Sequence, residues 1–279
     1  MGHLYFRKMQ DPATGLVWND VGGGVNGDNS DNHWTDNRTG TPDDRYLNTD
    51  IGSQVQWCFA WMQARIRRAF KDSAPAYAES CLTAGRTAHA AACKRFPVES
   101  EATVPLAYAL LASIELWRET RDDAFRQSAQ RCLELLIARQ ETGWVAGQKQ
   151  IRGFFYSSGE RKGIVATPWD PATVAFALLA AAENLPGEGA RAQEALRLYF
   201  DACLMPLAAL TPMRVLPYGL WLEPETHDRY RPLEGRLTYR FFYPVRTARV
   251  QPDAEAPWWN GPNGHLLGHA AALLMPVNE

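Results

Sequence analysis

No stretch of this 279-residue chain approaches the roughly 18 uninterrupted apolar residues of a membrane span, and its opening, MGHLYFRKMQDP, has no apolar core of signal-peptide length. The sequence therefore reads as a soluble chain without an export address: cytoplasmic as it stands, secreted or periplasmic if a longer precursor exists. Excess charge of either sign is missing too. Lysine plus arginine number 29 against 31 aspartate plus glutamate, which leaves no basic field to hold nucleic acid or an anionic membrane. The five cysteines, Cys58, Cys81, Cys93, Cys132 and Cys203, form no CxxC pair and are odd in number, so neither a disulfide scaffold nor a zinc site is expected. They read as buried thiols. Neither a G-x-S-x-G elbow nor an H-E-x-x-H pair occurs.

What is present is a 46% hydrophobic composition with 10 tryptophans, enough apolar material for a sizeable core. Apolar positions recur at helical spacing over residues 51–70, where Ile51, Val55, Cys58, Phe59, Met62 and Ile66 share a face and Asp50 is placed to cap. Further helices are expected at 76–96, closed by Pro97, from 101 through Trp117, and around 125–136. The last is the most amphipathic: Phe125, Ala129, Cys132, Leu133 and Leu136 line one side. A fifth helix, 170–185, opens with a capping Asp170 and a proline and is apolar nearly all round. A sixth runs over 189–204 with charges among its apolar positions, and a seventh begins near Asn263.

The pattern predicts helix hairpins in which an apolar inner helix alternates with an amphipathic outer one. Links from inner to outer helix (71–75, 119–121, 186–188) are short, whereas three of the four segments leading into inner helices (10–50, 140–169, 208–262) are long. Long loops in a compact domain are usually functional, and these would gather on one face, at the inner-helix N-termini. The fold class expected is all-α, an α/α toroid over a single domain spanning 1–279; an open solenoid of helix pairs would give much the same local pattern, but the lack of a strict repeat favours the toroid. Short aromatic runs at 151–156 and 237–245 read as hairpins within the loops.

The loop at 19–50 is dense in Gly, Asn and Asp. Gly22, Gly24 and Gly27 satisfy G-x-G-x-x-G literally, yet no helix follows the last of them, so they read as turn formers and no dinucleotide is implied. Asp28, Ser30 and Asn32 imitate the start of a calcium loop, but His33 and Thr39 stand where its glycine and bidentate glutamate belong. Asp43 and Asp44 form no magnesium box. No metal and no cofactor are expected. His33 and Trp34, adjacent, suit a saccharide subsite, which needs planar hydrogen-bonding groups and a flat ring under the C–H face of a sugar. The plainer alternative is a loop anchored by a buried tryptophan. Trp169, Tyr218, Trp221, Trp258 and Trp259 recur at or upstream of inner-helix entrances, which favours a binding groove.

Glycosidic cleavage requires a carboxylic acid and a carboxylate flanking the bond. Asp20, Asp31, Asp36, Asp170 and Glu223 lie on the relevant loops, each with an ordinary reading as a cap or a solvated loop residue. His265 and His269 are four apart on the seventh helix and lack a third ligand. Arg65, Arg67 and Arg68 read as a solvated helix flank.

Three segments carry a resemblance. KMQDPATGLVWNDVGGG, the stretch containing DNHWTDN, and PDDRYLNTDIGSQVQWCFAWMQAR resemble glycoside hydrolase family 9, the cellulase family built on an (α/α)6 barrel, with its QDP.TG run, D.H.WW subsite loop and following inner helix. SEATVPLAYALLASIELWRETRDDAFRQSA and PWWNGPNGHLLGHAAALLM are similar to later helices of that family. The resemblance implies a β-linked glucan or oligosaccharide as partner, an inverting mechanism, subsite roles for His33 and Trp34, and an anchoring role for Arg45. The family's DAGD-type base motif and its acid glutamate beyond a PHHR segment have no counterpart here, so the catalytic pair stays unassigned. By resemblance the chain is the middle of a barrel lacking its first and last helices, with apolar faces that would favour self-association. Two other readings keep the helical architecture. One is a sugar epimerase or polysaccharide lyase using His33, His227, His265 or Tyr218; the other is a non-catalytic glycan-binding or structural module.

Overall fold

The computed structural model describes residues 6–23, 38, 45–143, 151–165, 171–209, 219–222 and 237–240. Six main helices follow one another: α1 (Ser53–Phe70), α2 (Pro75–Arg95), α3 (Thr103–Thr120), α4 (Asp123–Ala138), α5 (Pro171–Asn184) and α6 (Gly189–Tyr199). A π-helical turn, Phe200–Leu204, then leads into the short α7 (Met205–Ala208). Two antiparallel ladders accompany them. β1 (Asp20–Gly23) pairs with β2 (Arg45–Asn48), and β3 (Gly219–Leu222) pairs with β4 (Leu237–Arg240).

The alternation of inner and outer helices is what the packing shows. α1, α3 and α5 lie side by side in that order, while α2, α4 and α6 each pack chiefly on the inner helix before them. The sequence explains the layering. α3 buries 12 of its 18 residues, which only a helix covered on nearly every side can do. α4 fully buries only Ala129, Cys132, Leu133 and Leu136, one stripe flanked by the half-buried Phe125, Leu135 and Ile137. Leu106, Leu110 and Ile114 of α3 are wholly enclosed, each contributing about 2 kcal/mol of apolar burial.

Contacts at both ends of α1 and α3 show that they run parallel. At their starts, the Ser53 hydroxyl donates to Glu101 at 2.7 Å. At their ends, Arg67 pairs with Glu119, and Arg68 with Glu115 and Glu119. Parallel inner helices place their N-termini on one face, and this is the architecture of an (α/α) toroid built from helix hairpins.

Several expectations from the sequence do not hold. Arg67 and Arg68 are not a solvated flank, because α3 lies against α1 and supplies two nearly buried carboxylates. Asp50 does not cap α1. The helix begins at Ser53 with Gly52 as N-cap, and the Gly52 N–H is taken by the Asn19 side chain at 3.1 Å. The fully buried side of α1 holds Gln56, Trp57, Phe59, Ala60, Gln63 and Ala64, while Val55 and Met62 are half-buried against the same core and Ile51, Cys58 and Ile66 are half-buried. Residues 151–156 make isolated bridges, Gln140 with Phe155 and Tyr156 with Ile164, rather than a hairpin. Gly22 lies in strand β1 and not in a turn. The sixth helix widens into the π-turn five residues before its expected end. Cys81, Cys132 and Cys203 are buried, but Cys58 is half-buried and Cys93 exposed. The seventh helix, near Asn263, lies outside the described residues.

His89 is the principal titratable group inside the helical layers. It projects from α2 against the edge of Trp57 on α1, with ring centroids 5.4 Å apart, and against Phe125 on α4 at 5.0 Å. Its Nε2 lies 2.9 Å from the Ser113 hydroxyl of α3, and its Nδ1 lies 3.6 Å from the Cys93 thiol. Burial without a carboxylate partner depresses its pKa from 6.5 to about 4. The unfolded chain therefore takes up this proton first as pH falls. The stability contribution is complete above pH 6.5, declines between 6.5 and about 4, and changes no further below that. The expected loss is about 3 kcal/mol, since each tenfold difference in proton affinity between the folded and unfolded chains is worth about 1.4 kcal/mol. Urea melts from pH 7.5 to 4 should show this slope in the parent chain and a shallower one in His89→Gln.

Candidate glycan-binding rim

The rim is assembled from the N-terminal segment upward. In the QDPATG run, Asp11 accepts from the Ala13 N–H at 3.0 Å and from the Thr14 hydroxyl at 2.7 Å. These bonds, Thr14's foremost, lower the Asp11 pKa. Gln10 donates to the carbonyls of Gly15 and of Ala84 on α2, locking the turn to that helix. Gly15 closes the turn at φ +75°, with the Thr87 methyl 2.6 Å from where a Cβ would stand. Only glycine fits there.

The chain then crosses to α1. The buried Gln56 side chain accepts from the Val17 N–H and donates to the Val17 carbonyl, both at 2.7 Å. A side-chain amide thus reproduces the pairing a neighbouring strand would give, which satisfies two buried backbone groups. Past this clamp, the Asn19 N–H donates to the Asp50 carbonyl, and β1 pairs with β2 in register from Asp20↔Asn48 to Gly23↔Arg45. Both roots of the 24–44 connection are therefore fixed beside the α1 N-terminus.

The neighbouring part of the rim is built by α3 and the segment after α4. Thr103, at the start of α3, donates its N–H to the Ser157 carbonyl and its hydroxyl to the Tyr156 carbonyl. Arg139 reaches the same hydroxyl at 3.3 Å. Glu101 is 8% exposed. Burial raises its pKa, and the Ser53 hydrogen bond and the Arg139 charge oppose that rise. Tyr156 donates to Glu141, beneath the Arg161 guanidinium. Burial first, then that carboxylate, pushes the phenol up to about 12. Gln140 donates to Gly153 and to Ala195 of α6, and the Arg152 N–H goes to the Ala202 carbonyl in the π-turn. These bonds fasten the 139–157 segment onto the rim. Its buried polar groups are satisfied internally, so they set the shape of the face rather than present free donors to a ligand.

Of the residues expected to bind sugar, Arg45 has its backbone in β2, opposite Gly23. His33, Trp34, Trp169, Tyr218, Trp258 and Trp259 lie outside the described residues. Among the carboxylates, Asp20 is the first residue of β1, while Asp31, Asp36, Asp170 and Glu223 lie outside, as do Gly24, Gly27, Asp43, Asp44, His227, His265 and His269. Sequence reasoning missed Glu101, Gln56 and the Tyr156–Glu141 pair. A polar residue inside an apolar helical stretch was the available signal for Gln56. Among the described residues no three His, Cys, Asp or Glu side chains could hold a metal ion together, and no helix is long and apolar enough to cross a membrane.

Hairpins of inner and outer helices, with long connections rooted at the inner-helix N-termini, define a helical-toroid architecture. The model of glycosyl hydrolase family 9 matches residues 1–206. The chain belongs to that family. Among solved structures it is similar to a single mutant of a thermostable endoglucanase from Alicyclobacillus acidocaldarius, with 16% identity, TM-score 0.48, and 76% of this chain against 37% of that one covered. It is also similar to a GH9 protein of Bacteroides ovatus, again at 16% identity, with TM-score 0.46 and coverage of 76% and 38%. Likenesses this slight add nothing to the family match. The chain spans under two fifths of the length of either structure. No curated protein matches it.

Proposed function

We propose that this chain is a glycoside hydrolase module that holds a β-linked glucan or oligosaccharide across the rim. The match to glycosyl hydrolase family 9 over residues 1–206 carries this reading. The clamp that fixes both roots of the 24–44 connection beside the inner-helix N-termini supports it. In this reading Trp34 stacks beneath a sugar ring, His33 bonds its hydroxyls, and Arg45 anchors the loop. Trp169, Tyr218, Trp258 and Trp259 extend the platform along the groove.

Cleavage by inversion requires an acid and a base roughly 6.5–9.5 Å apart, with water between base and sugar. A binding module without turnover is the second reading, favoured by the commitment of the described rim carboxylates to the protein itself, Glu101 to Ser53 and Glu141 to Tyr156. Calorimetric titration with cellohexaose is expected to show saturable binding that Trp34→Ala weakens about tenfold, the scale of one lost stacking contact. Reducing-end release from soluble β-glucan separates the two readings. Release abolished by substituting loop carboxylates selects hydrolysis, and binding without release selects the second. An absence of glucan affinity contradicts both.

A further inference from the structure

The outer helical layer carries a second concavity, away from the inner-helix N-termini. A groove of about 380 Å³ is lined by Thr83, Arg86, Thr87 and Ala90 of α2 and by Phe125 of α4, within the roughly 300–1,000 Å³ typical of small-molecule sites. The α2 residues fall at i, i+3, i+4 and i+7 and are all exposed, so one helical stripe presents the Arg86 guanidinium beside Thr87, while the Thr83 hydroxyl donates to the Glu79 carbonyl at 3.1 Å. Two walls are held from behind. His89 packs edge-on against Phe125 at 5.0 Å, and the Thr87 methyl is seated against the Gly15 turn. Among the described residues neither Arg86 nor the Thr87 side chain has a hydrogen-bond or ion-pair partner, whereas Arg131 and Arg191 on the same outer layer are both ion-paired. Among the described residues no carboxylate lines the groove.

We propose that this groove is a second carbohydrate site, selective for a sugar ring bearing a carboxylate, a uronic acid residue. An uncommitted guanidinium fits a carboxylate through charge-assisted, bidentate bonds. The Phe125 ring supplies an apolar surface for the C–H face of the sugar. The groove contains none of the residues expected to bind sugar at the rim, so each can bind without the other.

The test titrates the full chain with D-glucuronate, D-glucose and acetate, followed by ligand-observed NMR. Glucuronate should bind saturably and at least about tenfold more tightly than either glucose or acetate, because each of those lacks one of the two recognition elements. Arg86→Ala should weaken glucuronate about tenfold or more while leaving cellohexaose affinity unchanged. Phe125→Leu, which keeps apolar volume behind the groove, should weaken it as well, with the melting temperature reported beside each variant. No saturable glucuronate binding, equal binding of acetate, or glucuronate affinity unchanged by Arg86→Ala would each overturn the proposal.

Discussion

Gly153→Ala is expected to destabilise the chain by at least about 3 kcal/mol, more than any other single methyl added to the described residues. Two effects combine. Gly153 stands at φ +86°, and an added Cβ would overlap the Leu198 carbonyl oxygen and sit 2.8 Å from its carbon, both in the α6 backbone. Positive φ alone costs a non-glycine residue about 1–2 kcal/mol. A clash with helix backbone cannot be relieved by turning a side chain, so α6 or the 151–157 segment must move. That segment carries the Glu141–Gly153 and Arg152–Ala202 backbone bonds, so its displacement would also loosen the support of Thr103 at the α3 N-terminus. Urea denaturation measures the loss. A change under about 1 kcal/mol would mean that the segment does not approach α6 as described.

Gln56→Leu should produce the second large effect, about 2–4 kcal/mol, because it leaves both the N–H and the carbonyl of Val17 buried and unpaired. Gln56→Glu is the informative companion. An ionised carboxylate still accepts from the Val17 N–H but faces the Val17 carbonyl with a second acceptor, so it should fare little better than leucine. If leucine were tolerated within about 0.5 kcal/mol, the amide would not be the tie between the N-terminal segment and α1. Hydrogen exchange adds a local readout: amides 17–23 should lose protection in both variants while those of α3 and α4 keep theirs.

The helical layering was legible in the sequence because its cause is local. α5 is apolar nearly all round and α4 carries a single stripe, so the period of each pattern states how many neighbours the helix has. The Pro75 and Pro97 boundaries and the short links were legible for the same reason. The rim's construction was not, since it rests on pairs far apart in the chain: Val17 with Gln56, Ser53 with Glu101, and Thr103 with Ser157. The position of Gln56 in an apolar helical stretch signals burial, but its partner Val17 lies 39 residues away. Arg67 and Arg68 misled in the converse way, because charge on a helix reads as exposure until the opposing Glu115 and Glu119 are in place.

The QDPATG run shows how a family signature can be structural at its core. Its Asp11 turn, Gln10 tie and close-packed Gly15 contact other parts of the protein. Their effect is to deliver the following residues to the α1 N-terminus in one orientation. Glu101 belongs to the same scaffolding. With its carboxyl taken by Ser53 and facing Arg139, it ties the starts of two inner helices together.

Hydrogen–deuterium exchange of the full chain with and without cellohexaose tests the central claim most directly. A ligand laid across the rim should slow exchange in residues 17–23 and 45–53 and in the first turn of α3, and leave the outer helices α2 and α4 unchanged. Saturating cellohexaose that protects α2 and α4 while leaving residues 17–23 and 45–53 untouched would contradict it, placing the glucan somewhere other than the inner-helix N-termini.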